Sequence, residues 1–367
     1  MTNKFISSIW SFSQQTLDTY HSIHNYFRWL GKLPPPLVRR LIKMYSRKNE
    51  LILDNFVGCG TTLIEANLSY RRSIGIDSNP LAYLICKVKI NPFVPQKSQI
   101  NYLIHKIKER CKSEKDLLFR VPYIEKWFYK DSLIKLQIIL DEINKITNEK
   151  ERNFFLLALA NIVWDASKVD SRCVNHIVLD KNKPKIDIIK TFYVSINELR
   201  NALSEFERYF NRDIQTDIIL GDARNLDFLK DNSVDLIISH PPYLGQILYY
   251  NIYRLINDLL GFSYEEIKRR DISTNSLTKY MNDMQKVFNE MYRVLKPQKY
   301  VCTIIGDTRR DGGIVPTFSY FVNYASKIGF KIMDIFIWVL TRKAGMNVAR
   351  RGNYVDHNYI LIFKKED

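Results

Sequence analysis

The chain has 367 residues, of which 46% are apolar and 26% are charged, and this composition predicts a globular protein with a substantial core. Thirteen Gly and twelve Pro are too few for a collagen-like or low-complexity chain. The 55 Lys and Arg exceed the 39 Asp and Glu to give a net charge of +16, which favours a polyanionic partner, either nucleic acid or an anionic membrane surface. A genome biased towards Lys, Ile and Asn would give the same excess without any partner.

Neither a membrane span nor a disulfide framework is predicted. No run reaches the 18 or so apolar residues that a span needs, and the longest apolar stretch, Phe154–Trp164, contains Asn161 and predicts a buried helix. Phe5–Trp10 is interrupted by serines, which argues against a signal-peptide core. The five cysteines are scattered and lack a CxxC pair. We therefore expect no metal site and a reduced, cytoplasmic protein.

Residues 24–90 alternate helix-like and strand-like patterns. Pro35–Arg47 predicts a helix that opens on prolines. The elements predicted after it are the strand Leu51–Phe56, the helix Thr61–Tyr70, the strand Ser73–Asp77 and the helix Pro80–Ile90. This βαβα order is typical of a parallel sheet.

Residues 91–213 contain no glycine and predict four helices, Ile100–Leu118, Asp131–Ile146, Lys150–Ser167 and Ile188–Phe210. The α/β pattern then resumes with strands Asp217–Leu220, Val234–Ser239 and Tyr300–Ile305, a helix Leu277–Leu295, and an antiparallel pair Phe330–Leu340 and Tyr359–Lys364. We therefore expect an open, mostly parallel, doubly wound α/β sheet with an antiparallel last strand pair. Its domain would be formed by residues 1–90 and 214–367 and interrupted by a helical insertion, 91–213, which is long enough to have a function of its own.

Three predicted strands end in ligand-binding signals. The predicted strand Leu51–Phe56, which contains Asp54, runs into a turn in which Gly58 and Gly60 allow a ligand to approach the backbone. Asp77 ends the next strand, where a carboxylate binds ribose hydroxyls in nucleotide-binding folds. Asp222 follows a third strand. The alternatives are that Asp77 caps the following helix and that Asp222 is a solvated turn residue.

A fourth strand ends in Ser239-His240-Pro241-Pro242-Tyr243. Two consecutive prolines fix φ and remove two N–H donors, so the carbonyls here project rigidly. Such a site suits a planar group that carries an NH₂, with the tyrosine ring stacked on the plane and with His240 and the Pro241 carbonyl accepting the amine hydrogens. The alternative is a purely structural Pro-Pro-Tyr turn.

Taken together, these motifs resemble the amino-group DNA methyltransferases that use S-adenosylmethionine, whose motifs are written DPF-x-G-x-GTT and [DNS]PP[YFW]. Tyr26–Ile42 is similar to the family's methionine-end motif, and Val294–Pro297 and Ile305–Arg309 look like its later sheet elements. The resemblance covers residues 24–90 and 214–365 and implies a Rossmann-like methyltransferase fold. His240 and Asn55 depart from the family pattern.

The resemblance implies specific roles, residue by residue. The residues implied to bind the methyl donor are Lys32, Pro34, Asp54, Phe56, Gly58, Gly60, Thr61, Thr62, Asp77, Asn79, Asp222 and Ala223. The catalytic residues implied are Ser239, His240, Pro241, Pro242 and Tyr243. Only neutral imidazole accepts a hydrogen bond, so activity should fall below about pH 6.5 if His240 has its ordinary pKa.

The implied substrate is double-stranded DNA with its target base flipped out of the helix. The insertion 91–213 and the segment 244–274 are the candidates for target recognition. Phosphate contacts are expected at Lys268, Arg269, Arg270, Arg309, Arg310, Arg342, Lys343, Arg350 and Arg351.

The function predicted is site-specific methylation of an exocyclic amine in DNA, alongside a restriction endonuclease that acts on the same site. Cytosine N4 is favoured because Ser239 precedes the pocket and aspartate is absent. The alternatives are adenine N6, an RNA or protein amide as the acceptor, and a catalytically silent DNA-binding protein.

Overall fold

The computed structural model describes residues 8–11, 21–114, 122–170, 172, 177–310, 313–340 and 357–367. The strands in these ranges are β1 (Ser8–Trp10), β2 (Leu51–Asp54), β3 (Arg72–Asp77), β4 (Thr216–Leu220), β5 (Val234–Ser239), β6 (Leu295–Ile305), β7 (Thr308–Arg310), β8 (Gly313–Val315), β9 (Phe330–Val339) and β10 (His357–Lys365). One sheet has the order β1-β9-β10-β6-β5-β2-β3-β4, and β7 pairs with β8 in an antiparallel hairpin.

The strand directions confirm the predicted fold class. Strands β6, β5, β2, β3 and β4 are parallel neighbours. Strand β10 runs antiparallel to both β6 and β9. The short strand β1 pairs in parallel with β9, a pairing that the sequence did not predict.

The order of the strands reverses at β2. Strands β3 and β4 follow on one side of β2, whereas β5 and β6 lie on the other side. In open α/β sheets the crevice beyond the carboxyl ends of the strands at such a reversal is where ligands bind. Asp54 at the end of β2 is followed by the glycine turn, and Ser239 at the end of β5 is followed by His240. The topology therefore brings the two strongest sequence motifs together.

The helices lie within a few residues of those predicted. They are α1 (Pro35–Tyr45), α2 (Thr61–Leu68), α3 (Pro80–Ile90), α4 (Lys97–Ser113), α5 (Pro122–Glu125), α6 (Lys130–Asn144), α7 (Glu149–Ala166), α8 (Ile188–Glu207), α9 (Tyr249–Ile252), α10 (Arg254–Leu259), α11 (Tyr264–Arg270), α12 (Leu277–Val294) and α13 (Thr317–Ile328). Helix α5, the short helices α9 to α11 and the twelve-residue α13 were not predicted. In every described range, each helix is too short or too polar to cross a membrane.

Three hydrophobic clusters connect these layers. One face of the sheet packs against α1, and the other packs against α12 and α13. Helices α4 to α8 share their core with α3, with α10 and with the segment around Ile23–Trp29. The predicted insertion therefore packs on helices that flank the sheet and not on the sheet itself. Its role in target recognition stays a prediction.

Candidate active site

A cavity of about 820 Å³, open to solvent at its mouth, lies at the carboxyl ends of β2, β3 and β5. Strand ends, the glycine turn and two more distant segments form its walls. The lining residues are Trp29, Gly31, Lys32, Leu33, Asp54, Asn55, Phe56, Val57, Gly58, Cys59, Thr61, Thr62, Asp77, Ser78, Asn79, Asp222, Ala223, His240, Pro242, Tyr249, Arg270, Asp271 and Ile272. Most of the predicted donor-binding residues thus line a single cavity.

Both glycines of the turn after β2 are required by the backbone. Gly58 has a φ of +51°, and a Cβ atom there would lie 2.6 Å from Nε1 of Trp29. Gly60 has a φ of +85° and is the N-cap residue of α2. Left-handed φ values of this kind favour glycine. Gly60 therefore shapes the turn, but it is not among the lining residues.

Asp77 braces the same turn from the end of β3. Its Oδ2 accepts a hydrogen bond from the Gly58 amide at 3.0 Å, and its Oδ1 accepts one from the Asn79 amide at 2.9 Å. The N-cap of α3 is Asn79, whose Oδ1 accepts from the Leu81 amide. Asp77 is therefore not the helix cap of the alternative interpretation. Burial raises its pKa to about 7, which favours a ligand that donates hydrogen bonds to it.

The other two acidic strand ends have different environments. Asp54 is 4% exposed, its Oδ1 accepts from the Phe56 amide at 3.0 Å, and burial raises its pKa to about 6. Asp222 forms an ion pair with Arg224, with the shortest N–O distance at 2.6 Å, and Arg224 also contacts Asp283. Asp222 thus lines the cavity while it is paired with a neighbouring arginine.

Lys32 and Pro34 position the segment that closes the methionine-end side. The Lys32 Nζ donates to the His24 carbonyl at 3.0 Å and to Oδ1 of Asn25 at 2.6 Å, and burial lowers its pKa. Pro34 precedes α1 as its N-cap and lies outside the cavity lining. The Lys32 ammonium, in a residue expected to bind the donor, therefore forms its hydrogen bonds within its own segment.

At the end of β5, His240 contacts Tyr243. Its Nε2 lies 3.1 Å from the Tyr243 hydroxyl, and the two rings are nearly perpendicular at 85°. Burial lowers the pKa of His240 to about 4, so the imidazole is neutral throughout the physiological range. The expected loss of activity below about pH 6.5 assumed an ordinary histidine pKa. The structure corrects that expectation to a loss near pH 4.

Three of the predicted catalytic residues lie outside the cavity lining. Ser239 is fully buried, and among the described residues its Oγ has no hydrogen-bond partner. Pro241 is buried, whereas Pro242 lines the cavity and its carbonyl accepts from the Tyr280 hydroxyl at 2.9 Å. The Tyr243 ring packs so closely on Gly306 that a Cβ there would lie 2.9 Å from its Cε2. Tyr243 is therefore packed against Gly306 and is not among the lining residues.

Sequence reasoning missed the aromatic wall of the cavity. The Trp29 ring stacks on Tyr253, with ring centres 4.4 Å apart, and its centre lies 6.0 Å from that of Tyr249. The Tyr249 hydroxyl donates to the Leu30 carbonyl at 3.1 Å, and the Leu30 amide donates to the Tyr253 hydroxyl at 2.7 Å. The one available signal was the i, i+4 spacing of Tyr249 and Tyr253, which places both rings on one side of a helical segment.

Asp271 and Ile272, which follow α11, were also missed. The Asp271 carboxylate accepts from the amides of Tyr250 at 2.8 Å and Ser273 at 2.6 Å. Burial raises its pKa. Because it lines the cavity with Arg270, the segment 249–272 contributes a charged wall opposite the glycine turn.

The residues predicted to contact phosphates lie in different environments. Arg270 lines the cavity, whereas Lys268 and Arg269 are exposed on α11, with the Lys268 Nζ 5.7 Å from the Tyr264 ring centre. Arg309 is exposed on β7, and Arg310 ends that strand. Arg342, Lys343, Arg350 and Arg351 lie outside the described residues.

The family model for DNA methylases of the N6 and N4 type matches residues 1–87 and 234–367. The chain belongs to this family. It is therefore a DNA methyltransferase with S-adenosylmethionine as its methyl donor, as the sequence motifs predicted.

Curated relatives are all named Type II methyltransferases. M.MjaI of Methanocaldococcus jannaschii is 30% identical over 40% of this chain, which spans only 55% of that relative. M.MjaII of the same organism is 24% identical over 79% of the chain and 72% of the relative. M.BsoBI of Geobacillus stearothermophilus is 22% identical over 91% of the chain and 83% of the relative.

Solved structures resemble the chain only distantly. A DNA modification methylase of Thermus thermophilus, complexed with S-adenosylmethionine, is 24% identical with a TM-score of 0.26, over 40% of this chain and 52% of that one. A methyltransferase of Methanosarcina mazei is 11% identical with a TM-score of 0.37, over 89% of this chain and 97% of that one. The site is therefore interpreted from its own geometry.

Proposed function

We propose that the enzyme transfers a methyl group from S-adenosylmethionine to the exocyclic amine of a base flipped out of double-stranded DNA, with cytosine N4 as the target. It would act as the modification enzyme of a Type II restriction system, beside an endonuclease for the same site, in the cytoplasm. The observation that carries this proposal is the single cavity that joins the glycine turn after Asp54 to His240 and Pro242.

The donor end of the cavity fits a nucleoside with an amino-acid tail. Its lining combines the carboxyl groups of Asp54 and Asp77 with apolar residues such as Ala223, and small-molecule sites are typically clefts with a few placed polar groups on an apolar lining. The buried Asp77 carboxylate would accept the ribose hydroxyls, and Ala223 offers an apolar contact for the adenine. Asp54 would face the donor's ammonium group. When bound, the donor supplies an electrophilic methyl group on its sulfonium sulfur.

The target end would make the amine nucleophilic. The nitrogen lone pair is delocalised into the ring of the base, and acceptors that draw the amine hydrogens out of the ring plane restore it. The Pro242 carbonyl is already engaged by Tyr280, so the Pro241 carbonyl is the acceptor that this motif would offer. His240 would be the second acceptor.

Tyr243 would select the histidine tautomer. For Nδ1 of His240 to accept from the target amine, Nε2 must carry the ring proton and donate it to the Tyr243 hydroxyl, which lies 3.1 Å away. Because burial keeps this imidazole neutral, one nitrogen is always an acceptor. The geometry thus supports a histidine in the position where the resembled family has Asp, Asn or Ser.

The choice of cytosine N4 rests on the absence of a carboxylate at position 240. Ser239, which also supported this choice in the sequence, is buried beneath the cavity floor and gives it no further weight. Adenine N6 is the second candidate. Mass spectrometry of nucleosides from methylated DNA separates the two, because N4-methylcytosine and N6-methyladenine have different masses.

DNA would approach from the side of α11. Lys268 and Arg269 are exposed there beside Arg270 at the cavity, and a protein that contacts several phosphates loses affinity steeply between about 50 and 200 mM salt. Replacing Arg269 by Ala should reduce that salt dependence by about one ion and weaken binding to all sequences alike. The same substitution at Lys112, on α4 and paired with Glu109, is the control.

The test of the whole proposal is transfer of a radiolabelled methyl group from S-adenosylmethionine to duplex DNA by the purified chain. We expect label in DNA, none in tRNA, and protection of that DNA from an endonuclease. His240→Ala should bind the donor but transfer no label. Label confined to RNA or protein, or donor binding without transfer to any polynucleotide, would overturn the proposal.

A further inference from the structure

Lys89 carries a positive charge into the interior of the protein. Its side chain, on α3, is 0% exposed, and its Nζ donates a hydrogen bond to the Cys59 carbonyl at 2.9 Å. In the described part of the chain, this ammonium forms no ion pair. Taking a cation out of water is strongly unfavourable unless an anion accompanies it. The fold therefore tolerates a charge that its own residues do not neutralise.

One buried carboxylate near Lys89 is matched by a cation. Glu65, also 0% exposed, lies 2.6 Å from Nε of Arg39 and 3.1 Å from Nε2 of His24. Because burial lowers the pKa of His24 to about 4, the Arg39 guanidinium is the cation that matches this carboxylate. The unmatched ammonium of Lys89 is a particular feature of this position.

Lys89 acts on the turn that lines the donor end of the cavity. Val57, Gly58 and Cys59 are lining residues, and α3 holds this turn twice, through Lys89 and through Cys86, whose Sγ donates to the Gly58 carbonyl at 3.4 Å. Lys32 lines the same end from the opposite segment. Two ammonium groups therefore flank the place where the glycine turn meets the donor.

We propose that Lys89 is a positioning residue for the methyl donor: its buried charge attracts the carboxylate of the donor's amino-acid end and its hydrogen bond fixes the turn that receives it. This rests on the proposed donor orientation, with the amino-acid end at the turn and the ribose at Asp77. Because the charge is shielded from solvent, salt screens its attraction for a bound anion only weakly. The unfavourable burial in the free protein is offset when the donor's carboxylate arrives.

This assignment predicts opposite effects on stability and on binding. Lys89→Met keeps an unbranched chain and removes both the hydrogen bond to the Cys59 carbonyl and the charge, whose burial without an anion costs several kcal/mol. We expect an unchanged or higher melting temperature without ligand, together with an at least tenfold weaker affinity for S-adenosylmethionine. Lys89→Gln keeps a donor for the Cys59 carbonyl without the charge and should show the same loss of affinity.

The decisive comparison uses decarboxylated S-adenosylmethionine, which retains the sulfonium, ribose and adenine but lacks the carboxylate. By calorimetric titration, its affinity should differ less than threefold between the wild type and Lys89→Met. The control is Lys87→Met on the same helix, whose ammonium lies 5.7 Å from the Tyr83 ring centre and which should leave both affinities unchanged. If Lys89→Met weakened the affinity for both ligands equally, with or without a lower melting temperature, Lys89 would have only a structural role. If the wild type bound neither ligand, the proposed function itself would fall, and this assignment with it.

Discussion

Replacing Asp54 by Asn tests whether the buried carboxylate of Asp54 lowers the free energy of unfolding. The side chain is 4% exposed and accepts one amide hydrogen, from Phe56 at 3.0 Å, which an asparagine Oδ1 can also accept. Burial raises the pKa of this carboxyl from 3.8 to about 6. The substitution therefore removes the charge while it keeps the shape and the known hydrogen bond.

The sign of the effect follows from the raised pKa. The native state holds the proton more tightly than the unfolded chain, so the contribution of Asp54 to stability is fully present below pH 3.8 and is lost as the pH rises through about 6. A shift of this size corresponds to about 3 kcal/mol at pH 8 and about 1 kcal/mol at pH 4.5. Asp54→Asn should be more stable than the wild type by these amounts.

Urea unfolding of the ligand-free proteins at the two pH values measures the difference. Asp227→Asn, the same substitution on an exposed carboxylate, controls for general charge effects. The donor's ammonium group would lose its ionic partner, so the stabilised variant should bind S-adenosylmethionine more weakly. A stability difference that does not grow with pH, or a variant that is less stable at pH 8, would refute the reasoning.

Three further outcomes follow from the target end of the cavity. Tyr243→Phe removes the hydroxyl that selects the His240 tautomer and should lower kcat about two- to tenfold, the equivalent of one hydrogen bond. Tyr243→Ala should abolish transfer and leave donor binding nearly intact. Equal kcat in the wild type and the Phe variant would show that Tyr243 does not select the tautomer. Gly306→Ala places a Cβ 2.9 Å from the Tyr243 ring and should lower kcat without changing donor affinity; an unchanged kcat would show that the ring's position is unimportant. Because the pKa of His240 is lowered to about 4, kcat should stay level down to about pH 5. Because the pKa of Asp77 is raised to about 7, kcat/KM for the donor should fall as the pH drops through 7. A fall of kcat near pH 6.5 would contradict the burial of His240.

The sheet was predictable because its central strands are buried on both faces. Four of the six residues of Val234–Ser239 are apolar, and the whole strand is buried in the structure, as is typical of parallel strands. Strand β1 was not predictable, since three residues carry no detectable periodicity and its place is fixed by pairing with β9, far away in sequence. The same reason hides α9 to α11, the longest of which has seven residues.

The residues of the site also differ in whether the sequence could predict them. Residues that follow strand ends, such as Asp54, Asp77 and His240, were predictable because a parallel sheet gathers its carboxyl ends at one edge. Tyr249 and Asp271 belong to no motif, and Trp29 lies in the segment Tyr26–Ile42 but was not singled out; all three reach the cavity through tertiary packing. The tautomer and pKa of His240 were out of reach as well, because both depend on burial and on one 3.1 Å contact.

Trp29 shows why the missed residues belong to the site. Its ring packs against Tyr249 and Tyr253 of the segment proposed to face DNA, and its Nε1 lies 2.6 Å from the position that a Cβ on Gly58 would take. The Gly58 amide in turn donates to Asp77, the carboxylate proposed to hold the donor's ribose. Contiguous contacts thus run from the target side to the donor side, and closely packed interiors transmit strain along such contacts. A displacement of Tyr249 or Tyr253 by bound DNA would therefore reach the glycine turn through one indole ring, and the two halves of the cavity form one packed unit.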